Sequence, residues 1–338
     1  MHEALFYQQE QGGKVICGLC CHRCHIGPDQ RGICGVRENI GGRLYSLVYG
    51  RLIAQHIDPI EKKPMFHCLP GSMSYSIATV GCNFHCLHCQ NSSISQYPHL
   101  HDGSIAGVAL SPQAVVDAAT HAGCASISYT YVEPTIFYEF AYDCAVLARV
   151  RGIKNIFVSN GYMTPEVARH LAPVLDGINI DCKAFADDFY TKICKARLQP
   201  VLDNIRLLHE LGVWVEVTTL VIPGLNDSEE ELRAIASFLK TVSPDIPWHV
   251  SGFHPTYQML DRPRTPAATL LKARAIGLAA GLRYVYTGNI PGSGGEDTHC
   301  PGCWALLVRR RGFVSEQATA LAQGRCRTCG LSIPGVWD

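Results

Sequence analysis

The chain has 338 residues, enough for one large domain with appendages or for two medium-sized domains. Its 29 Lys and Arg residues equal its 29 Asp and Glu residues, which argues against the basic chains that bind nucleic acid or anionic membranes. The N-terminal sequence lacks a basic region followed by an apolar stretch, and there is no run of about 18 apolar residues, so we expect neither a signal peptide nor a membrane span. These features predict a soluble, cytoplasmic protein.

Seventeen cysteines are the most informative feature of the composition. Cytoplasmic thiols stay reduced, so tightly spaced cysteines in such a protein indicate metal ligands rather than disulfides. Eleven of them fall into three groups, which are Cys17, Cys20, Cys24 and Cys34; Cys82, Cys86 and Cys89; and Cys300, Cys303, Cys326 and Cys329. The other six are scattered and are interpreted as small core residues.

The first group lies in a predicted cysteine-rich segment over residues 1–50. Its spacing, Cys17-x2-Cys20-x3-Cys24-x9-Cys34, offers four ligands, with Cys21 as a spare thiol between them. This spacing suits an auxiliary iron–sulfur cluster about as well as zinc. A cluster here would act as an electron relay or a substrate anchor, whereas zinc would only hold the local fold together. The spacing does not decide between them.

Seven short β-branched runs alternate with helical stretches in the predicted core, residues 51–292. Ser111 before Pro112, and Ser228 with Glu231 as a capping box, predict two helix starts. Strands joined by helices predict an α/β fold with a parallel sheet, and seven repeats favour a partial or full (β/α) barrel over a doubly wound sheet. The predicted strands are Ser76–Val80, Ser126–Tyr131, Asn155–Ser159, Ile178–Cys182, Trp214–Val221, Trp248–Phe253 and Tyr284–Tyr286.

The second cysteine group follows the first predicted core strand with the spacing Cys82-x3-Cys86-x2-Cys89. Three thiolates can bind three irons of a cubane cluster and leave the fourth iron open to a cofactor. The alternative is a zinc site in which His85 or His88 supplies the fourth ligand.

This motif resembles that of the radical S-adenosylmethionine (radical SAM) superfamily. The string Asp58-Pro59-Ile60-Glu61-Lys62-Lys63-Pro64, followed by Phe66-His67 and Pro70-Gly71, resembles the pyruvate formate-lyase-activating-enzyme branch. The whole chain is similar to the radical SAM member of the AmmeMemoRadiSam system, which accompanies Memo-like and Ammecr-like proteins. One departure is His88, since the superfamily usually has an aromatic residue before the third cysteine.

The resemblance implies a [4Fe–4S] cluster on Cys82, Cys86 and Cys89 that binds S-adenosylmethionine. An electron from a flavodoxin- or ferredoxin-type donor then cleaves this cofactor to a 5′-deoxyadenosyl radical, which abstracts hydrogen from a protein or peptide. A second possibility is modification of a small molecule together with Memo-like and Ammecr-like partners. A third, of another class, is a non-catalytic zinc scaffold.

Residues at the ends of the later strands are the predicted cofactor contacts, because ligands bind at the carboxyl ends of parallel strands. The resemblance assigns this role to Glu133, Asn160, Asp181, Lys183 and His254. Four of these five residues have a plainer alternative. Glu133 could be a helix N-terminal charge, Asp181 and Lys183 an internal salt bridge, and His254 an ordinary rim residue.

The third cysteine group lies in a predicted C-terminal segment, residues 293–338. Cys300-x2-Cys303 and Cys326-x2-Cys329 form two knuckles typical of a four-thiolate zinc ribbon, although the gap between them slightly exceeds the usual window. Rubredoxin-like iron is the alternative. A short segment with little core benefits from a bound metal, so we expect the site to be structural.

Overall fold

The computed structural model describes residues 1–290 and 294–338. The predicted boundary between the core and the C-terminal segment, at residues 292 and 293, lies outside the described residues. Within the described ranges, none of the helices has the length and apolarity needed to cross a bilayer.

Strands and helices follow one another along the chain as follows. The strands are β1 (His2–Glu3), β2 (Tyr7–Gln9), β3 (Val15–Cys17), β4 (His25–Ile26), β5 (Arg37–Ile40), β6 (Arg43–Ser46), β7 (Arg51–Leu52), β8 (Ala54–Pro59), β9 (Met73–Ala78), β10 (Val108–Ala109), β11 (Ser126–Tyr129), β12 (Lys154–Ser159), β13 (Gly177–Asp181), β14 (Trp214–Val221), β15 (Trp248–Gly252), β16 (Val285–Gly288), β17 (Thr298–His299), β18 (Leu306–Arg311), β19 (Val314–Gln317), β20 (Leu321–Ala322) and β21 (Arg325–Cys326). The α-helices are α1 (Ser92–Ser95), α2 (Tyr97–Leu100), α3 (Pro112–His121), α4 (Tyr138–Val150), α5 (Pro165–Leu171), α6 (Asp187–Phe189), α7 (Gln199–Glu210), α8 (Glu229–Val242) and α9 (Ala267–Ala280). A π-helix spans Tyr190–Cys194, and 3₁₀ turns span Gln11–Gly13, Ile60–Lys62, Pro134–Phe137 and Ala172–Val174.

The central sheet has eight strands in the order β16-β15-β14-β13-β12-β11-β9-β8. All neighbours pair in parallel except β8, which runs antiparallel to β9. The seven predicted parallel strands are therefore confirmed. Their order follows the chain without reversal, which distinguishes the fold from a doubly wound sheet. In the part of the chain that the structure describes, the ladder begins at β8 and ends at β16, so the barrel is partial.

Helices on the outside cover the sheet with apolar faces. In α8 the buried residues Leu232, Ile235, Ala236 and Leu239 recur at the spacing of one helical face. The strands are buried on both sides, as in other parallel sheets. This layering leaves the strand ends as the accessible part of the core.

The two predicted helix starts differ in outcome. The Ser111 hydroxyl accepts a hydrogen bond from the Ala114 N–H at 3.1 Å, which confirms this cap. Ser228 likewise accepts from the Glu231 N–H at 3.1 Å. The reciprocal half of the capping box is wrong, because the Glu231 carboxylate accepts instead from the Phe185 N–H in the loop after β13. An N–H group from a distant loop thus takes the place that the Ser228 N–H has in a capping box.

Small antiparallel sheets flank the barrel at both ends of the chain. The N-terminal ones have the orders β1-β6-β5 and β2-β3-β4, and the C-terminal ones β17-β18-β19 and β20-β21. The N-terminal segment shares one hydrophobic core with the barrel. The C-terminal segment packs in a separate cluster that includes Phe66, Tyr284 and Tyr286. The two flanking segments are therefore attached in different ways.

Candidate active site

A cavity of about 570 Å³ opens at the carboxyl ends of the parallel strands. Its volume is in the range of small-molecule and cofactor sites, about 300–1,000 Å³. Residues at or just after the ends of all seven parallel strands line it, so the sheet curves around this space. They include Cys82, Cys86, Cys89, Glu133, Asn160, Asp181, Lys183, Leu220, Ser251 and Asn289.

The loop from Cys82 to Cys89 places all three thiols at the cavity wall. Its backbone is held by the π-helix, whose Ile193 and Cys194 carbonyls accept hydrogen bonds from loop N–H groups at 3.1 Å. Single-turn π-helices are rare and often occur at functional sites. The loop is thereby fixed by a segment distant in sequence.

The buried thiols of this loop are suited to a cationic partner. Burial raises the pKa of the Cys82 and Cys89 thiols, and a hydrogen bond with the Cys194 thiol, together with burial, raises that of Cys86. A metal cation reverses this tendency, because it stabilises the thiolate directly. The convergence of three such thiols on one cavity fits an iron–sulfur cluster with one open iron.

The alternative zinc site needs His85 or His88 close to the three thiols, and the two histidines differ in position. Within the described ranges, no compact group of metal-binding atoms includes these cysteines together with His85 or His88. The His85 ring packs against His99, away from the cavity lining. His88 lines the cavity, and burial lowers its pKa to about 3, so its ring is neutral. Its buried Nδ1 has no hydrogen-bond partner among the described residues.

Glu133 is buried at 3% exposure and lines the cavity. Its carboxylate accepts hydrogen bonds from the Thr135 N–H at 3.1 Å, the Ser159 hydroxyl at 2.8 Å and the Asn160 N–H at 2.7 Å. It therefore caps the following 3₁₀ turn, as its plainer alternative proposed. Burial raises its pKa, and no basic side chain in the described residues forms an ion pair with it. A ligand ammonium would supply the missing opposite charge.

Asn160 and the Asp181–Lys183 pair also lie at the cavity. The Asn160 amide donates to the Asn83 side chain at 2.7 Å, so it braces the cysteine loop. Lys183 Nζ donates to Asp181 Oδ2 at 2.8 Å, and this is the salt bridge of the alternative interpretation. Burial lowers the pKa of Lys183, but nearby Asp181 and the cysteines outweigh burial and raise it.

His254 stands apart from the other predicted contacts. It is exposed and is not among the residues that line the cavity. The reason is that β15 ends at Gly252, after which the chain turns outward into the bridge between Thr256 and Met259. The structure therefore brings together four of the five predicted cofactor contacts.

Sequence reasoning missed a buried polar cluster made by Lys63, Asp58 and Tyr131. Lys63 lines the cavity, donates to Asp58 at 2.6 Å and lies 4.5 Å from the centre of the Tyr131 ring. The Tyr131 hydroxyl donates to the same carboxylate. Tyr131 also has a φ of +64°, in the left-handed region that favours glycine. Such strain in a bulky residue often accompanies a functional site.

Two further lining residues had weaker signals. Thr218 lies on the same face of β14 as Leu220, and its buried hydroxyl has no hydrogen-bond partner in the described part of the chain. Alternation along the strand could have indicated it. Phe313 reaches the cavity from the turn between β18 and β19, and no sequence pattern indicated this contact.

The two flanking cysteine groups differ in geometry. The Sγ atoms of Cys300, Cys303, Cys326 and Cys329 all lie within 4.8 Å of one another. Cys17, Cys20, Cys24 and Cys34 instead line a small apolar cavity beside the loop that begins at Cys82. Cys21 points away, since its thiol donates to the Met163 carbonyl at 3.3 Å.

Comparisons with known proteins agree with this arrangement. Residues 76–239 match the family model described as the radical SAM superfamily. The chain is 45% identical over 335 residues to an uncharacterised protein of Methanocaldococcus jannaschii, a match that covers 98% of this chain and 99% of that protein.

More distant relatives include named enzymes. The isethionate sulfite-lyase activating enzyme of Desulfovibrio desulfuricans is 30% identical over 127 residues, which cover 36% of this chain and 39% of that enzyme. Among solved structures, SuiB of Streptococcus suis bound to the precursor peptide SuiA has a TM-score of 0.50 at 12% identity, covering 69% of this chain and 52% of that one. This last likeness concerns the fold alone.

Proposed function

Because the chain belongs to the radical SAM superfamily, we propose that it reductively cleaves S-adenosylmethionine at a [4Fe–4S] cluster held by Cys82, Cys86 and Cys89. The supporting observation is that these thiols converge on the cavity at the carboxyl ends of the parallel strands. When bound, the cluster and its cofactor supply one-electron cleavage to a 5′-deoxyadenosyl radical. The protein positions the cofactor and the hydrogen to be abstracted.

The chain's own residues suit the cofactor's charges. Glu133, buried without an ion-pair partner in the described residues, would hold the methionyl ammonium. Lys183 and Asp181 present both charges two strands further along the same rim, at the end of β13. His88 is neutral and flat, so it can pack beside the cluster without adding charge. The Thr218 hydroxyl, which has no partner within residues 1–290 and 294–338, offers one further hydrogen bond.

The substrate of this radical chemistry is a protein or peptide in our main proposal. Its support is the similarity to the isethionate sulfite-lyase activating enzyme. The electron donor would be of the flavodoxin or ferredoxin type. We also propose that the chain belongs to the AmmeMemoRadiSam system, because that resemblance extends over nearly the whole sequence and includes both flanking cysteine groups.

Small-molecule modification with Memo-like and Ammecr-like partners is the second candidate. Lys63, Asp58 and Tyr131 favour it, because they form a buried polar cluster and Lys63 and Tyr131 line the cavity. A buried polar cluster of this kind offers specific hydrogen-bonding groups to a small substrate.

At the C-terminal segment we propose a structural zinc ion. Four thiolates around zinc lie about 3.8 Å apart, given a Zn–S distance of about 2.3 Å and tetrahedral geometry. The Cys300–Cys329 and Cys303–Cys326 sulfur distances are 3.5 and 3.6 Å, close to that value.

Anaerobic incubation with S-adenosylmethionine and dithionite, followed by mass spectrometry of 5′-deoxyadenosine, tests the main proposal. Cys82→Ala, Cys86→Ala or Cys89→Ala should abolish the product, since each removes one cluster ligand. Cys124→Ala is the matched control, because Cys124 is a buried cysteine outside the cavity. Full cleavage in any of the three variants contradicts the assignment, and a colourless wild-type protein favours the zinc scaffold.

The predicted cofactor contacts are tested by measuring the affinity of the protein for S-adenosylmethionine. Glu133→Ala and Asp181→Ala should weaken S-adenosylmethionine binding while the cluster still assembles. Unchanged affinity in both places the cofactor elsewhere. Repeating the incubation with and without the Memo-like and Ammecr-like proteins separates the two substrate classes.

A further inference from the structure

The N-terminal thiols surround one enclosed space although they are spread along the sequence. Cys17 ends β3, Cys20 and Cys24 lie in the loop to β4, and Cys34 lies in the turn before β5. All four line the same small cavity, which Leu19, Ile26 and Ile136 close off on the apolar side. The chain therefore folds its N-terminal segment around these thiols.

These thiols are neighbours without being in contact. They share the lining of one cavity with Arg37 and Asn83. Yet, among residues 1–290 and 294–338, no three of them fall within the 4.8 Å that groups the C-terminal sulfurs. The thiols of Cys82, Cys86 and Cys89 behave in the same way.

This spacing distinguishes a cluster from a single ion. One zinc ion requires sulfurs about 3.8 Å apart, as the C-terminal group has them. A cubane places irons and sulfides between its thiolate ligands, so those ligands stand further apart around a central space. The N-terminal geometry corresponds to the second case.

Arg37 provides an independent indication of an anionic occupant. It is 1% exposed and lines this cavity. Its terminal nitrogens bind Glu139 at 2.9 and 3.0 Å and the Leu5 carbonyl at 2.9 Å. Its buried Nε has no hydrogen-bond partner in the part of the chain that the structure describes. A cluster bound by four thiolates carries net negative charge, and its sulfurs accept hydrogen bonds.

We propose that Cys17, Cys20, Cys24 and Cys34 bind an auxiliary [4Fe–4S] cluster that passes electrons to the cluster of Cys82, Cys86 and Cys89. The binding of the cluster stands on the geometry alone, whereas its role as an electron relay rests on the proposed function. Four protein thiolates saturate the four irons, so no coordination site remains for a substrate. This favours an electron relay over a substrate anchor.

A short connection joins the two cysteine groups. His22 Nε2 donates to the Asn83 carbonyl at 2.8 Å, and Asn83 is the residue after Cys82. Asn83 also lines the N-terminal cavity. One electron from a flavodoxin- or ferredoxin-type donor would reduce the auxiliary cluster, which would then reduce the second cluster by one electron. No bond forms or breaks in this transfer.

Metal analysis of a variant without the other cluster tests the binding site. The triple variant Cys82→Ala, Cys86→Ala and Cys89→Ala keeps the N-terminal thiols intact. We expect it to remain brown, with about four irons and matching sulfide per chain. A colourless variant with a second zinc, or with no metal in the N-terminal group, overturns the proposal.

Mössbauer spectroscopy of the wild-type full chain gives a second measurement should the triple variant fold poorly. The proposal expects about eight cluster irons per chain, against about four if only one cluster is present. Cys24→Ser should lower that content by about half, whereas Cys21→Ala, the control next to the site, should leave it unchanged.

The proposed electron relay is tested by comparing two electron donors, dithionite and a reduced flavodoxin or ferredoxin. With dithionite, Cys24→Ser should still form 5′-deoxyadenosine, because a small reductant reaches the second cluster directly. With a reduced flavodoxin or ferredoxin, its rate should fall at least about tenfold below that of Cys21→Ala. Equal rates with the protein donor refute the relay. Absence of product in the wild type with either reductant instead refutes the proposed function and leaves the iron count as the test of the cluster.

Discussion

The two flanking segments each supply four cysteines, but they present them differently. In the C-terminal segment the sulfurs form pairs 3.5 and 3.6 Å apart, with Cys300 and Cys326 buried and Cys303 and Cys329 exposed. In the N-terminal segment the thiols stand around a small cavity, with Cys17 and Cys34 buried and Cys20 and Cys24 half-buried. The two segments therefore offer the same number of thiol ligands. The distance between sulfurs and their access to solvent are what differ, and these decide which metal group each segment suits.

The segments also attach to the barrel by different contacts. The N-terminal one shares the main core and carries a buried Arg37–Glu139 ion pair at 2.9 Å. The C-terminal one contacts a polar network near the amino ends of the strands. There Glu216 accepts from His249 at 2.6 Å and from the His67 N–H at 2.8 Å, and His67 reaches the Pro334 carbonyl at 2.8 Å.

The largest effect is expected from loss of the C-terminal metal. Cys326→Ser should remove about one zinc per chain and unfold the segment locally, since structural zinc contributes about 10–16 kcal/mol of apparent binding free energy. Metal analysis measures the loss of zinc, and hydrogen exchange measures the local unfolding. Cys124→Ala is the control for both. Cleavage of S-adenosylmethionine should persist. Wild-type protein with extra iron instead of zinc would indicate a rubredoxin-like site. Both flanking segments would then bind iron, and the contrast between their metals would disappear.

The second-largest effect is expected at the buried ion pair between Arg37 and Glu139. Arg37→Met leaves the Glu139 carboxylate buried without its partner, so we expect a loss of about 3–5 kcal/mol in the free energy of unfolding. Urea denaturation measures it. The double variant Arg37→Met with Glu139→Leu should recover much of the loss, because no unpaired charge remains. A double variant as unstable as the single one would count against this explanation.

Acidification should weaken the C-terminal attachment. Burial lowers the pKa of His67 to about 4, whereas in the unfolded chain it is about 6.5. The unfolded state therefore binds the proton first as the pH falls below about 6.5, and stability drops until about pH 4, by about 2 kcal/mol at pH 5. Hydrogen exchange near Pro334 at pH 7 and 5 measures this. His67→Gln should remove most of this dependence, and the idea fails if it does not.

The smallest effect is expected at the exposed Arg23–Glu166 pair, which joins the loop of Cys20 and Cys24 to α5 at 3.4 Å. Both side chains are more than half exposed, so Arg23→Ala should cost at most about 1 kcal/mol. Iron content should not change. A large loss of iron would show that surface contacts, and not the buried core, hold the N-terminal site.

Local patterns were enough to predict the seven strands and the position of the cysteine loop after the first of them. Alternation along β13 also placed Asp181 and Lys183 on one face, where they form their ion pair. By contrast, His254 follows its strand like the other predicted contacts but lies outside the cavity lining, because the chain turns outward after Gly252. The path of a loop depends on packing that its own sequence does not encode.

The parallel core, the three cysteine groups and the edge of the sheet where a ligand is expected could all be predicted from the sequence, because periodicity and spacing are local properties. Only the tertiary structure brought Lys63 and Asp58 to Tyr131, and Phe313 to the cavity. It also set the separation of the sulfurs in the two flanking segments. These features join residues far apart in the chain, and their distances follow from how the segments pack against the barrel.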